Sequence, residues 1–219
     1  MWNEQIIMML LEGIKDTLYM TLTSTLIGYV IGLPMGIVLT VTDKDGIRPN
    51  TAVYKVLDVI SNLLRSIPFI ILLIVLIPFT RFVVGRSYGS TATIVPLTIA
   101  AAPYIARMVE SSLKEVDAGV IEAARSMGAS DFQIVTKVML VEARTSLIVG
   151  ATISLGTILG YSAMAGTVGG GGLGDIAIRY GYTRWQTDIM IVTVILLIIL
   201  FQIFQTVGMK LADKFDHRK

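Results

Sequence analysis

Uncharged apolar stretches dominate the chain, and their lengths can be measured against a bilayer. A hydrocarbon core of roughly 30 Å is crossed by about 20 helical residues. Residues 17–42, 87–106, 145–174 and 189–209 meet that length, each bounded by charged residues. A fifth stretch, 66–80 between Arg65 and Arg81, is shorter. It reaches full length only if Val56, Leu57, Ile60, Leu63 and Leu64 join it, which puts Arg65 within or near the bilayer. The pattern predicts an all-α membrane protein with five transmembrane helices. The N-terminal Met-Trp-Asn-Glu lacks the positive cluster and cleavage site of a secretory signal, so the first apolar stretch is expected to remain as a span.

Composition agrees: 54% of residues are hydrophobic and only 16% are charged, too few charges for a soluble surface. There is no cysteine, and the single histidine, His217, lies in a polar tail, so thiolate, disulfide and metal chemistry are not expected. A net charge of +2 spread along the chain gives no footprint for nucleic acid.

Basic residues choose an orientation. Five spans place the termini on opposite sides. With the C-terminus inside, the cytoplasmic segments hold 12 of the 18 Lys and Arg residues and the outer ones five, Arg65 staying in the membrane. The expected organisation is an extracytoplasmic segment 1–12, a transmembrane domain 13–210 with a cytoplasmic loop at about 114–142, and a cytoplasmic tail 211–219.

Small residues in the first stretch follow a four-residue repeat: Ser24, Gly28, Gly32 and Gly36. One helix face is therefore small enough for backbone-to-backbone packing, and Pro34 is expected to kink the same helix. No internal repeat is evident, which removes support for an inverted-repeat secondary transporter.

The loop 114–142 carries eight charges yet stays helix-like. Val120, Ile121, Ala124 and Met127 share one face of a short helix ended by Gly128. Ser130 can cap a second helix, with Phe132, Val135, Val138 and Met139 as its apolar face. Glu122 can cap its own helix or pair with a basic group on a partner. It has no second acid, histidine or metal-ligand set beside it for catalysis. The string Glu122-Ala123-Ala124-Arg125-Ser126-Met127-Gly128, with Val138-Met139-Leu140 ten positions on, resembles the EAA motif of ABC importer permeases: EAA, three residues, G, nine residues, I-x-L-P. Val141 departs from the motif's proline, which softens the turn into the next span.

Gly169-Gly170-Gly171-Gly172-Leu173-Gly174 lacks the Lys-Ser or Lys-Thr of a phosphate loop. It reads as a mobile outer gate or a flexible loop. Arg65 has two readings. An ionisable group at membrane depth marks a substrate path, or it snorkels to the interface with Asp58 as its partner. Arg107 and Glu110, three apart, read as a helix-surface ion pair. The string Arg65-Ser66-Ile67-Pro68-Phe69 resembles the second span of methionine and polar amino-acid permeases. Gly160-Tyr161-Ser162-Ala163-Met164-Ala165-Gly166 resembles the methionine-type permeases, and the likeness runs from about Gly13 to Lys210.

This resemblance implies a type I ABC importer permease fold in a bacterial cytoplasmic membrane. It implies a homodimer, two cytoplasmic ATP-binding subunits that hold ATP and Mg, and an extracytoplasmic substrate-binding lipoprotein. No cofactor and no catalytic residue are implied on this chain. Glu122, Ala123, Ala124, Gly128 and Leu140 would couple to the ATPase. Arg65, Ser66, Pro68, Tyr161, Ser162 and Met164 would belong to the substrate path or gate, where Met164 can also be ordinary packing. Methionine, including its D-form, is the substrate implied; another small nutrient such as a polar amino acid is the alternative. An ion-driven carrier would need carboxylates within spans, and only Asp58 and Glu110 come close.

Overall fold

The computed structural model describes residues 4–215, and every described element is helical. Residues 1–3 and 216–219, which include His217, Arg218 and Lys219, lie outside the described residues. Helix α1 spans Glu4–Thr42 and contains Pro34. Helix α2, Thr51–Ser66, starts at Asn50, whose side chain accepts the Val53 amide at 3.2 Å. Helix α3 is Phe69–Val75, α4 is Ile77–Val84, and α5 is Ser90–Lys114. A cytoplasmic-type loop follows, with α6 Ala118–Ser126, α7 Asp131–Gln133, a π-helical turn Ile134–Met139 and α8 Leu140–Glu142. Helix α9 is Arg144–Ala165. After a glycine-rich turn come α10, Gly172–Ile176, a second π-helical turn, Ala177–Tyr182, and finally α11, Thr187–Phe215.

Four stretches are long and apolar enough to cross a membrane: α1, α5, the segment Arg144–Tyr182 that opens with α9, and α11. The bent pair α2–α3 supplies the fifth. Its two halves meet at 101°. Pro68 lacks an amide hydrogen and forces Ile67 into extended backbone, with ψ 124°, so the helix cannot continue through 67–68. The short fifth run of the sequence is thus a broken span with Arg65 at its elbow.

The centre of the molecule is the contact of α1 with α5. Gly28, Gly32 and Gly36 lie against Ala101, Ala102, Ile105, Ala106 and Val109. A Cβ at Gly32 would come within 2.6 Å of the Ala102 carbonyl oxygen, and one at Gly36 within 2.5 Å of the Ala106 oxygen. Backbone meets backbone here, which only glycine permits. Ser24, one turn earlier, is fully buried with its hydroxyl 3.5 Å from the Ile94 carbonyl.

Two expectations change in this frame. The run 145–174 is not a single helix: α9 ends at Ala165 and the chain turns back on itself. The glycine-rich stretch is not a free loop either. A Cβ at Gly174 would stand 2.2 Å from the Ala163 oxygen, and one at Gly172 2.7 Å from the Thr17 hydroxyl. The Leu173 amide donates to that hydroxyl at 2.9 Å. Close packing holds Gly172 and Gly174, while Gly169 and Gly171 supply left-handed backbone at φ +78° and +83°. Residues 4–12 likewise belong to α1, where Leu10 packs with Leu173, Ile176 and Ile189.

Candidate functional site

At the C-terminal end of α5 the loop 115–143 folds back onto the bundle. The Asp117 carboxylate caps α6, accepting the Gly119 amide at 2.8 Å. Ser130 and Gln133 form a reciprocal capping box at α7. Between them Gly128 takes φ +82° with nothing near an added Cβ, so left-handed backbone is its whole requirement. Ala124, Ile134, Val135 and Met139 sink into the main core beside Val109 and Leu113, with Ile121 and Leu140 partly buried against it. The Arg125 guanidinium donates to the Ile47 carbonyl at 2.7 Å, tying α6 to the α1–α2 connection. Sequence reasoning missed that tether, because no pattern links an arginine to a carbonyl 78 positions away.

The expected apolar faces divide. Of the residues expected on those faces, Met127 is 82% and Phe132 76% exposed, with Val120 also outward. The loop touches the bundle along a narrow stripe centred on Ala124 and Ile134, so apolar residues off that stripe project away. Glu122 is exposed in mid-helix and caps nothing; Asp117 has that task. Ala123 is exposed beside it. Leu140 faces the core, away from the exposed surface. Glu122, Ala123, Arg125, Met127, Gly128 and Phe132 thus form an exposed ridge on α6 and α7, with apolar side chains that no described residue covers.

A polar lattice joins three helices just above this ridge. Glu110 accepts from Arg107 at 2.7 Å and Lys114 at 2.8 Å, with the Tyr54 hydroxyl at 3.4 Å. Arg107 also pairs closely with the Asp58 carboxylate and donates to the Asn62 carbonyl oxygen at 3.0 Å. Lys114 reaches Asp43 at 2.6 Å, and that contact holds the Asp43 carboxyl below its usual range. Arg107 and Glu110 are therefore not a surface pair, since Glu110 is buried between α1, α2 and α5. Asp58 belongs to Arg107 and not to Arg65.

Arg65 lines a cleft of about 160 Å³ with Leu64, Ile67, Phe69, Leu72, Ala100, Tyr104 and Tyr161. The Phe69 and Tyr161 rings stack with centroids 4.6 Å apart and planes 4° from parallel. The Thr157 hydroxyl lies 3.4 Å from that of Tyr104. Among the described residues Arg65 forms no ion pair. Of the other expected path residues, Pro68 makes the elbow, Ser66 donates to the Asn62 carbonyl at 2.7 Å, and Met164 is half exposed. Ser162 is buried, donates to the Leu159 carbonyl and accepts from Thr21 of α1. No three metal-ligating side chains converge among the described residues.

Residues 16–218 match the family model described as binding-protein-dependent transport system inner membrane component. The chain is 48% identical over 210 residues to a probable D-methionine transport system permease protein, MetI, of Vibrio cholerae, covering 96% of this chain and 93% of that protein. Its identity to the D-methionine transport system permease protein MetI of Escherichia coli is 52% over 164 residues, covering 75% and 76%. Among solved structures, a chain of the MetNI methionine ABC transporter in an inward-facing conformation superposes with a TM-score of 0.96 at 48% identity, covering 99% of this chain and 100% of that one. An amino acid ABC transporter solved with histidines shares the fold, with a TM-score of 0.73 at 20% identity.

Proposed function

The chain belongs to the family of binding-protein-dependent transport system inner membrane components, and from that membership we propose that it is the membrane permease of an ATP-driven methionine importer, accepting the L- and D-forms. Two copies line the path. Two ATP-binding subunits dock on the inner face, where they hold ATP and Mg²⁺, and an extracytoplasmic lipoprotein delivers substrate. The basic-residue asymmetry supports an N-terminus outside and a C-terminus in the cytoplasm.

The observation that carries this reading is the ridge of α6 and α7. Its side chains Met127 and Phe132 stand in solvent, while its root is fixed by Arg125 and by the burial of Ala124. Exposed apolar anchors on a rigid mount suit docking to another protein. Closure of the ATPase pair would push this ridge, and the load would pass through Ile47 and the Asp43–Lys114 pair into α1, α2 and α5. The path would then switch from inward to outward facing. An ion-driven carrier is disfavoured because Asp58 and Glu110, the acids it would need, are engaged by Arg107 and Lys114.

Tagged chain purified in mild detergent with its co-purifying ATPase tests the proposal. ATPase activity should accompany the native chain and be lost with Glu122→Arg/Gly128→Arg, and the native complex should take up labelled methionine in proteoliposomes. An ATPase retained by the double variant, or uptake that does not depend on ATP, rejects the reading.

A further inference from the structure

The cleft beneath the α2–α3 elbow holds a cation with no counter-charge. Arg65 lies two helical turns beyond Asp58, roughly 10 Å along α2 from the acid that Arg107 holds. An arginine on an apolar span with no ion pair among the described residues marks a functional position. The acids nearest in the fold are already engaged, Asp58 by Arg107 and Glu110 by Arg107 and Lys114. No carboxylate lines the cleft. The missing anion must come from outside the chain.

The remaining walls describe the rest of that anion. Phe69 and Tyr161 present a stacked aromatic surface, and Tyr104 offers a hydroxyl. One fixed cation, phenolic hydroxyls and an aromatic wall fit a small carboxylate with an apolar or thioether side chain. We infer that Arg65, Tyr104 and the Phe69–Tyr161 pair form a membrane-embedded subsite that takes an amino-acid substrate by its carboxylate during passage. The inference rests on the importer reading above and assigns a specific contact within it. Lipid phosphate is the other anion within reach of an exposed arginine, but the aromatic rings and the phenolic hydroxyls of Tyr104 and Tyr161 beside it favour a free amino acid.

The chain has no cysteine, so Leu64→Cys at the cleft provides a single thiol whose labelling by a small maleimide can be read on this chain. The permease is assembled with its ATPase in nanodiscs without binding protein, and labelling is timed with methionine, with methionine methyl ester, or with neither. Methionine should slow labelling while the ester does not. Arg65→Gln should abolish the protection and weaken apparent methionine affinity on the order of tenfold or more, with Arg65→Lys retaining part of it and Tyr104→Phe an intermediate amount. Protection that survives Arg65→Gln, or that is absent in the Leu64→Cys chain, overturns the subsite. A labelling rate that follows the anionic-lipid fraction and ignores methionine assigns Arg65 to headgroups and overturns it equally. Methionine uptake by the complete native complex, measured alongside, tests the importer reading separately: no uptake refutes that reading, whereas uptake without protection refutes only the subsite.

Discussion

Replacing Arg107 by methionine keeps an unbranched apolar stem and removes the cation that α5 places between two acids. Its side chain is 15% exposed and bridges Glu110, 6% exposed, and Asp58, 30% exposed. Breaking a buried pair by deleting one partner costs about 3–5 kcal/mol. Two features pull the value down. Glu110 keeps Lys114 at 2.8 Å, and Asp58 keeps the Asn62 amide at 3.2 Å as well as some solvent. A loss of about 2–3 kcal/mol is expected for Arg107→Met. Asp58→Asn removes the other side of one contact, so the double variant should lose less than the sum of the single ones, with a coupling of about 1–2 kcal/mol. Unfolding of the purified permease by SDS titration in mixed micelles, followed by tryptophan fluorescence, measures all four corners of the cycle. Additivity within about 0.5 kcal/mol, or a single-variant loss below that, would refute the claim that this lattice holds α2 onto α5.

Gly32→Leu should insert normally but lower stability by about 2 kcal/mol or more, because the new Cβ meets the Ala102 carbonyl oxygen at 2.6 Å and backbone cannot yield as a side chain would; an unchanged SDS midpoint would contradict the close α1–α5 packing. Met127→Asp/Phe132→Asp alters only exposed side chains, so it should leave the SDS midpoint of the isolated permease where it is while reducing ATPase co-purification at least roughly tenfold; full association would exclude this ridge as the docking surface. Asp43 should contribute acid-side stability. Its folded carboxyl titrates below the unfolded value of about 3.9, held down chiefly by its hydrogen bond from Lys114, so the contribution is present above that unfolded value and disappears as pH falls through the lower folded one. Comparing native chain and Asp43→Asn from pH 7 to pH 3 should show a gap that closes on acidification, and a gap that widens would reverse the sign of the linkage.

How legible each feature was depended on whether its cause is local in sequence. The glycine face of α1 could be read because a four-residue repeat projects to one side of any helix, and the cap at Ser130 because capping needs only three neighbours. The outward turn of Met127 and Phe132 could not be read, since an apolar residue on a short helix gives no sign of whether its partner is in the same chain. Asp58 was the clearest misreading. Two helical turns along its own helix pointed to Arg65, but the packing of α2 on α5 brought Arg107 closer. The fate of the glycine run was equally hidden, because flexible and tightly packed glycines have the same composition.

Sequence alone determined that the chain spans a membrane about five times, and where a helical loop of the ABC-permease type interrupts the spans. Those properties follow from hydropathy, periodicity and short-range motifs, each set within a few tens of residues. Tertiary structure alone decided that Glu110 is the buried centre of a lattice joining α2, α5 and the α1–α2 connection, and that Arg65 is left facing an aromatic cleft without a counter-charge among the described residues. Each of these depends on which helix faces which, and in a bundle of near-uniform apolar helices that choice is made by backbone contact at glycines and by polar pairs far apart in sequence, such as Arg107 with Asn62 at 45 positions and with Asp58 at 49. Local pattern does not encode such distances, so the chemistry of the site emerged only once the helices were packed.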